Sequence, residues 1–292
     1  MTEDITLYRD AVLRAFPELE GANFRPITMG FHSLALDADD RLIFKFPKGP
    51  EAERALRREA LILAAVRPHL SMPVPDLELI EDPMLFSRHT KIKGEHLLRE
   101  HYEKLAPAAR ERLAEELARF YAEIHALDPL LMRNAGATEI LPWRPAAEIR
   151  AKALPLVPDE LRALCASTIA AYEELPADPL GTTYGFFDGH GWNMAFDHEK
   201  QHLNGVYDFA DSGFGPLHQD FVYSSLIAPE LTWMIVDRYR RMTRRPIDAE
   251  RVSLLIGMHR LSDLAELADD PHYAEMLRDQ LAAWAGDRHP SG

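Results

Sequence analysis

The sequence predicts an α+β protein of two lobes: a small antiparallel β-sheet lobe with one key helix, then a larger, mainly helical lobe. Three observations carry this. Short apolar runs separated by turn residues occupy 24–47 and 77–87. One amphipathic helical stretch, 51–67, lies between them. After Gly94 the apolar period changes to that of helices and holds for most of the remaining chain. We therefore divide the chain into lobes 1–92 and 93–292.

Each element has its own signal. Residues 5–16 carry Ile5, Leu7, Tyr8, Val12, Leu13 and Phe16 at helical spacing until Pro17 interrupts. Asp37-Ala38-Asp39-Asp40 reads as a hairpin turn between strands 33–36 and 41–46. Leu56, Ala60, Leu63 and Val66 stripe the helix 51–67, and Pro68, Pro73 and Pro75 force extended chain after it. Leu77–Ile80 and Met84–Ser87 read as two further strands. Residues 107–127 form a well-marked helix with Leu113, Leu117, Phe120, Tyr121, Ile124 and Leu127 on one face. The stretch 159–175 is similar and places Cys165 on its apolar side, as core filling rather than a reactive thiol. Short strands and loops return over 182–209. Helical patterns then run to about Trp284, broken at Pro229, Pro246 and Pro271, before a frayed tail from Asp287.

Composition bounds the function classes. The chain has 292 residues, 47% hydrophobic and 27% charged, as folded domains do. A net charge of −14 argues against a nucleic-acid surface and favours a cationic ligand, although many soluble proteins are simply acidic. No stretch approaches the ~18 apolar residues of a membrane span. The acidic N-terminus does not look like a secretory signal, and the single Cys165 fits a reducing compartment, so the expected location is the cytoplasm.

The densest chemistry lies at Asp188, in Gly185-Phe186-Phe187-Asp188-Gly189-His190-Gly191, where three glycines around one carboxylate describe a sharply folded loop. Asn193 follows, then an apolar strand, a turn at 197–201, and a second strand ending in Asp208. That hairpin brings Asn193 and Asp208 together. A carboxylate to take a hydroxyl proton, with an amide and a second carboxylate to hold magnesium, is what phosphoryl transfer requires. His190 permits a rival reading as a transition-metal ligand with Asp188 and Asp208. Without a histidine or cysteine partner nearby, a loop-stabilising or substrate-facing role fits it better. Asp220 precedes an apolar helix and reads as a helix-start or loop-bracing carboxylate.

A second group lies upstream. Alternation in Leu42-Ile43-Phe44-Lys45-Phe46 puts Leu42, Phe44 and Phe46 on one face and Lys45 with Ile43 on the other. Lys45 is either an edge-strand lysine reaching water or a buried one with a partner. Glu59 borders the apolar stripe of helix 51–67, where a carboxylate is unwelcome unless paired. A Lys45–Glu59 pair satisfies both. Gly30, in Met29-Gly30-Phe31-His32-Ser33, sits where a phosphate-covering turn or an ordinary hairpin turn fits equally. No Gly-Lys-Ser/Thr phosphate loop occurs.

These segments resemble the aminoglycoside phosphotransferase and choline kinase family, which has a protein-kinase-like bilobal fold. The resemblance runs through Phe44-Lys45-Phe46-Pro47-Lys48, Arg58-Glu59, Thr90-Lys91-Ile92-Lys93-Gly94, Asp188 to Asn193, and Asp208-Phe209-Ala210-Asp211-Ser212-Gly213. It spans roughly residues 24 to 270, and its motifs look most like those of aminoglycoside 2''-phosphotransferases. It implies that lobe 1–92 binds nucleotide and that lobe 93–292 holds the catalytic and substrate sites. Asp188 would be the catalytic base, with Asn193 and Asp208 binding Mg2+. Lys45, oriented by Glu59, would hold the phosphates of ATP or GTP. The backbone of Thr90, Lys91 and Ile92 would read the purine, and Gly30 to Ser33 would cover the phosphates. His190, with Asp263 and Glu266 on the helix 250–268, is a candidate contact to a small, cationic, hydroxyl-bearing substrate; for the two acids a solvated helix face is the preferred reading. The family usually has His two residues before the catalytic Asp, and here that position is Phe186. Choline, homoserine, a sugar or a macrolide are alternative acceptors. A catalytically silent nucleotide-binding module is an alternative of another class.

Overall fold

The computed structural model describes residues 5–27, 33–267 and 271–286. After helix α1 (Thr6–Ala15), the first part of the chain builds one antiparallel sheet from β1 (Phe24–Ile27), β2 (Ser33–Ala38) and β3 (Leu42–Pro47). Helix α2 (Pro50–Val66) precedes its remaining strands, β4 (Glu78–Ile80) and β5 (Phe86–Thr90). The spatial order is β1-β2-β3-β5-β4. The β2–β3 turn is shorter than the sequence suggests. Asp37 and Ala38 stay in the strand, and Asp39, Asp40 and Arg41 make the turn, the first two at φ 55. The Asp37 carboxylate accepts the Asp40 N–H at 2.7 Å, which locks this left-handed turn. The strand expected over 84–87 is displaced to Phe86–Thr90, the stretch that pairs β3.

Alternation decides what each sheet face does. Leu34, Leu36, Phe44, Phe46 and Phe86 are buried with Ala11 and Val12 of α1. The Phe46 and Phe86 rings stack at 4.9 Å. Burying each such ring contributes about 1.5–3 kcal/mol. The other face carries Ile43 and Lys45 on β3, opposite His89 and Ser87 on β5. Helix α2 starts with proline at its first turn and with Glu51 and Glu53 near its positive end. Its last turns, through Ile62, Leu63 and Val66, belong to the larger hydrophobic cluster of the second half.

That second half begins with the short α3 (Arg99–Tyr102), α4 (Pro107–Ile124), α5 (Pro129–Asn134), α6 (Ala146–Ala153) and α7 (Asp159–Glu173). Four strands follow as two separate pairs: β6 (Thr182–Gly185) with β9 (Gly213–Pro216), and β7 (Met194–Asp197) with β8 (His202–Val206). Helices α8 (Pro229–Thr243), α9 (Ala249–Leu267) and α10 (Pro271–Gly286) complete it. The stripe on α4 is buried as its spacing demands: Leu113, Leu117, Phe120, Tyr121 and Ile124. Cys165 is fully buried on α7, and burial pushes its thiol up to about 11, so it is core filling. No described helix is long and apolar enough to cross a membrane.

Candidate active site

The loop between β6 and β7 presents Asp188 at the cleft. Asn193 donates its Nδ2–H to Asp188 Oδ2 at 2.5 Å and to the Asp188 carbonyl at 3.1 Å. His190 Nε2 lies 3.0 Å from Asp188 Oδ1. Burial pulls the His190 pKa down, but the Asp188 carboxylate outweighs it, and the net shift is upward. Two glycines make this fold possible. A Cβ on Gly185 would lie 2.3 Å from Asp220 Oδ2, and one on Gly191 would lie 1.8 Å from the Leu97 carbonyl oxygen. Phe187 is held in the left-handed region at φ 54.

Phe186 supplies no polar brace. Its ring packs at 4.8 Å from Phe209 and 5.5 Å from Phe120. The brace comes from elsewhere. Asp220 is wholly buried and accepts the Phe186 N–H at 2.9 Å and the Phe187 N–H at 2.5 Å. His125, just after α4, holds the same carboxylate through Nε2 at 2.9 Å, and its Nδ1 meets the Tyr239 hydroxyl at 3.0 Å. Asp220 is thus the loop-bracing carboxylate. His125 escaped the sequence reading because a lone histidine ending an apolar helix has no pattern of its own.

The β7–β8 hairpin brings the next pair together. The Tyr207 N–H donates to the Asn193 carbonyl at 3.0 Å, so Asn193 sits beside Asp208. Asp208 adopts φ 64, an uncommon backbone for a non-glycine residue. With its Nδ2 spent on Asp188, Asn193 keeps its Oδ1 available, and Asp208 has a carboxylate oxygen beyond the one facing Lys45. Two oxygen donors suit magnesium, which retains waters and binds phosphate oxygens besides. Among the described residues, no cluster of three or more His, Cys, Asp or Glu side chains is placed to hold a metal alone.

Lys45 joins the two halves. Its Nζ lies 3.1 Å from Glu59 Oε2 and 3.4 Å from Asp208 Oδ1. The other Glu59 oxygen accepts the Phe209 N–H at 3.1 Å. Burial opposes the Lys45 charge, yet the two carboxylates more than offset it and its pKa rises. Burial drives Glu59 upward against the pull of Lys45. On the next residue, Arg58 donates to the Ala210 carbonyl at 3.2 Å. Asp211, also unforeseen, faces the same charges. Burial, then Asp188 and Asp208, raise its pKa.

The segment 90–92 splits by direction. Lys91 gives its N–H to the Arg41 carbonyl at 2.8 Å, and its ammonium pairs with Asp37 at 2.7 Å and Asp40 at 2.6 Å. Its N–H and ammonium are therefore both engaged at the β2–β3 turn. Alternation in the ladder points the peptide groups of Thr90, the last residue of β5, away from β3. Ser33 starts β2 opposite Pro47, and Gly30 lies outside the described residues.

Beyond Asp188, α9 supplies a wall. Asp263 lies near Asp188 and His190. Burial pushes its carboxyl up to about 6, with Arg260 and His190 opposing and Asp188 adding to the rise. His259 Nδ1 is 3.2 Å from Asp263 Oδ2 and 3.0 Å from Arg260 Nη1. The His259 ring packs at 5.5 Å from Trp143 and 5.0 Å from Tyr223. Glu266 lies on the same helix one turn on, largely exposed and 3.7 Å from Arg144, so it answers to that arginine and the solvent.

A small sheet lobe, a lysine–glutamate pair on its inner face, and an Asp–Asn–Asp set beneath it define a kinase-like phosphotransferase. Residues 23–264 match the profile of the phosphotransferase enzyme family known as APH. The chain belongs to that family and is a phosphotransferase acting on small molecules. Solved structures share its fold. The GDP complex of wild-type aminoglycoside 2'-phosphotransferase-IIIa superposes with a TM-score of 0.80 at 20% identity, over 98% of this chain and 100% of that one. The GDP and kanamycin complex of APH(2")-IIIa gives 0.77 at 19%, over 97% and 99%. Macrolide 2'-phosphotransferase type I gives 0.68 at 16%, over 96% and 97%. No curated protein sequence matches.

Proposed function

We propose that the protein transfers the γ-phosphate of ATP or GTP to a hydroxyl of a small cationic acceptor, most nearly an aminoglycoside, in the cytoplasm, and that its effect there is antibiotic resistance. The observation that carries this is Lys45 bridging Glu59 and Asp208 at 3.1 and 3.4 Å, above an Asp188 that Asn193 and His190 hold in place. Residues 1–92 act as the nucleotide lobe and 93–292 as the catalytic and acceptor lobe.

Asp188 takes the acceptor hydroxyl proton as its oxygen bonds to the γ-phosphorus and the nucleoside diphosphate leaves. His190 and Asn193 fix the carboxylate for that step. Lys45, aligned by Glu59, neutralises phosphate charge, and the Thr90 and Ile92 peptides receive the base. Asn193 and Asp208 are the residues to hold Mg2+, which when bound neutralises charge on the transferring phosphate. Positioning and charge neutralisation supply most of the rate. On the acceptor side, Asp263 attracts a cation, and the partly buried Trp143 lies at the same wall against His259. That ring favours a second reading, an acceptor with one amine and an apolar body, such as a macrolide.

A transfer assay with ATP and GTP against kanamycin, a macrolide, choline and homoserine tests this. We expect nucleoside diphosphate release that depends on the aminoglycoside and is lost in Asp188→Ala. Release that no acceptor stimulates, or full turnover in the variant, overturns the reading.

A further inference from the structure

The inner face of β5 carries two polar atoms that meet nothing. His89 Nδ1 and Ser87 Oγ are both buried, and neither has a hydrogen-bond partner among the described residues. An orphaned buried polar atom costs about 1–3 kcal/mol, so two on one strand face call for a reason. Their position supplies it. Ser87 pairs with Lys45 in register, and His89 pairs with Ile43, one alternation nearer the 90–92 linker. The rise of a strand puts His89 about 6–7 Å along from Ser87 on the same side. His89 thus lies between the lysine assigned to the phosphates and the peptides assigned to the base. Ile43 opposite it is apolar and offers no partner.

The imidazole is neutral. Burial, then the Lys45 charge, push its pKa down to about 4. A neutral imidazole holds one N–H donor and one lone-pair acceptor. Among the described residues, no partner at Nδ1 fixes the tautomer.

We propose that His89 reads the purine of the nucleotide, hydrogen-bonding the substituent at C6. It accepts from the amino group of adenine or donates to the carbonyl of guanine. This rests on the kinase reading above and adds a base-reading side chain to it. Because either tautomer is available, the site takes both ATP and GTP. Thr90 and Ile92 supply the backbone part of the recognition, and the Lys91 N–H, taken by the Arg41 carbonyl, supplies none.

The test uses the full chain, with ATP, GTP and purine riboside triphosphate, which lacks any C6 substituent. Affinities come from calorimetry and KM from the transfer assay, for wild type, His89→Phe and His89→Gln. In wild type, loss of the C6 substituent weakens binding. His89→Phe keeps the ring volume and weakens ATP and GTP by about 2- to 10-fold each, the worth of one hydrogen bond, with the change larger in KM than in kcat. In that variant the penalty for lacking the substituent shrinks by the same factor. His89→Gln keeps a donor and an acceptor and restores affinity at least in part. Equal penalties in wild type and His89→Phe overturn the proposal. So does a wild type indifferent to the C6 substituent, a result that needs no variant to fold. A wild type that binds neither ATP nor GTP overturns the kinase reading itself, which separates that failure from failure of His89 alone.

Discussion

His125 Nε2 and Asp220 Oδ2 lie 2.9 Å apart with both side chains buried, and this contact anchors the loop that carries Asp188. Asp220 in turn accepts two loop amides. A carboxylate replaced by Asp220→Ala leaves two buried N–H groups and one imidazole nitrogen unmatched. At about 1–3 kcal/mol for each of these three orphaned groups, we expect a loss of at least about 3 kcal/mol in unfolding free energy. Turnover should fall while nucleotide affinity changes little, since the Lys45 site is untouched. Urea unfolding with steady-state kinetics checks this; stability within about 1 kcal/mol of wild type would remove the brace from the account.

The Lys45–Glu59 pair makes a prediction in pH. Glu59 is only 5% exposed, and burial raises its pKa while Lys45 restrains the rise. A carboxyl raised in the folded state contributes stability at low pH that is lost as pH climbs through the raised value. Lys45→Met removes the restraint and leaves a buried charge, a change of about 3–5 kcal/mol for such pairs. The variant should therefore be less stable at pH 8 than at pH 5.5, and the double variant Lys45→Met, Glu59→Gln should lose most of that slope. Denaturation midpoints at the two pH values decide; a parallel slope in the double variant counts against Glu59 as its source.

What the sequence disclosed and what it hid have a common physical basis. Lys45 and Glu59 were legible because each is a charge set into an apolar pattern, one of period two and one of period 3.6. Asp188, Asn193 and Asp208 were legible because glycines and a hairpin mark a loop locally. The α4 stripe followed from spacing, whereas the β1-β2-β3-β5-β4 order, with β5 between β3 and β4, depends on pairings distant in sequence and was not legible. His125 and His89 were not legible. Each acquires its meaning only from partners distant in sequence, Asp220 in one case and the inner sheet face in the other. Lys91 shows the complementary limit. A motif names a residue but not the direction of its peptide, and the Arg41 carbonyl takes that N–H. Phe186 is the same lesson in the loop: its backbone, not its side chain, receives the brace.

Asp188 and Asp208 should separate in kinetics. Asp188→Ala removes the proton acceptor without touching Lys45 or Glu59. We expect turnover to drop on the order of 10²–10⁴ with nucleotide affinity retained. Asp208→Asn should instead weaken nucleotide binding in the presence of Mg2+ and much less in its absence. Calorimetric titration of nucleotide with and without Mg2+ distinguishes the two. Equal loss of metal-dependent binding in both variants would merge roles that the geometry keeps apart.

Asp263 gives the acceptor side its own pH signature. Burial holds its carboxyl at about 6, above the ordinary carboxylate range. The group is neutral below that value and charged above it, so its attraction for a cationic acceptor appears as pH rises from 5 to 7. KM for an aminoglycoside should fall across that interval, while KM for the nucleotide, set by Lys45 and the linker peptides, should not follow it. Asp263→Asn should abolish the acceptor trend and raise KM above pH 7 by about 10-fold, for a loss of about 1.4 kcal/mol of charge-assisted attraction. Stability carries the opposite sign. The raised carboxyl costs the fold as pH climbs through about 6, so Asp263→Asn should be at least as stable as wild type at pH 7.5. A variant that loses affinity through unfolding would instead show a lower midpoint there. Measuring acceptor KM and denaturation midpoint on the same samples therefore separates a binding carboxylate from a structural one.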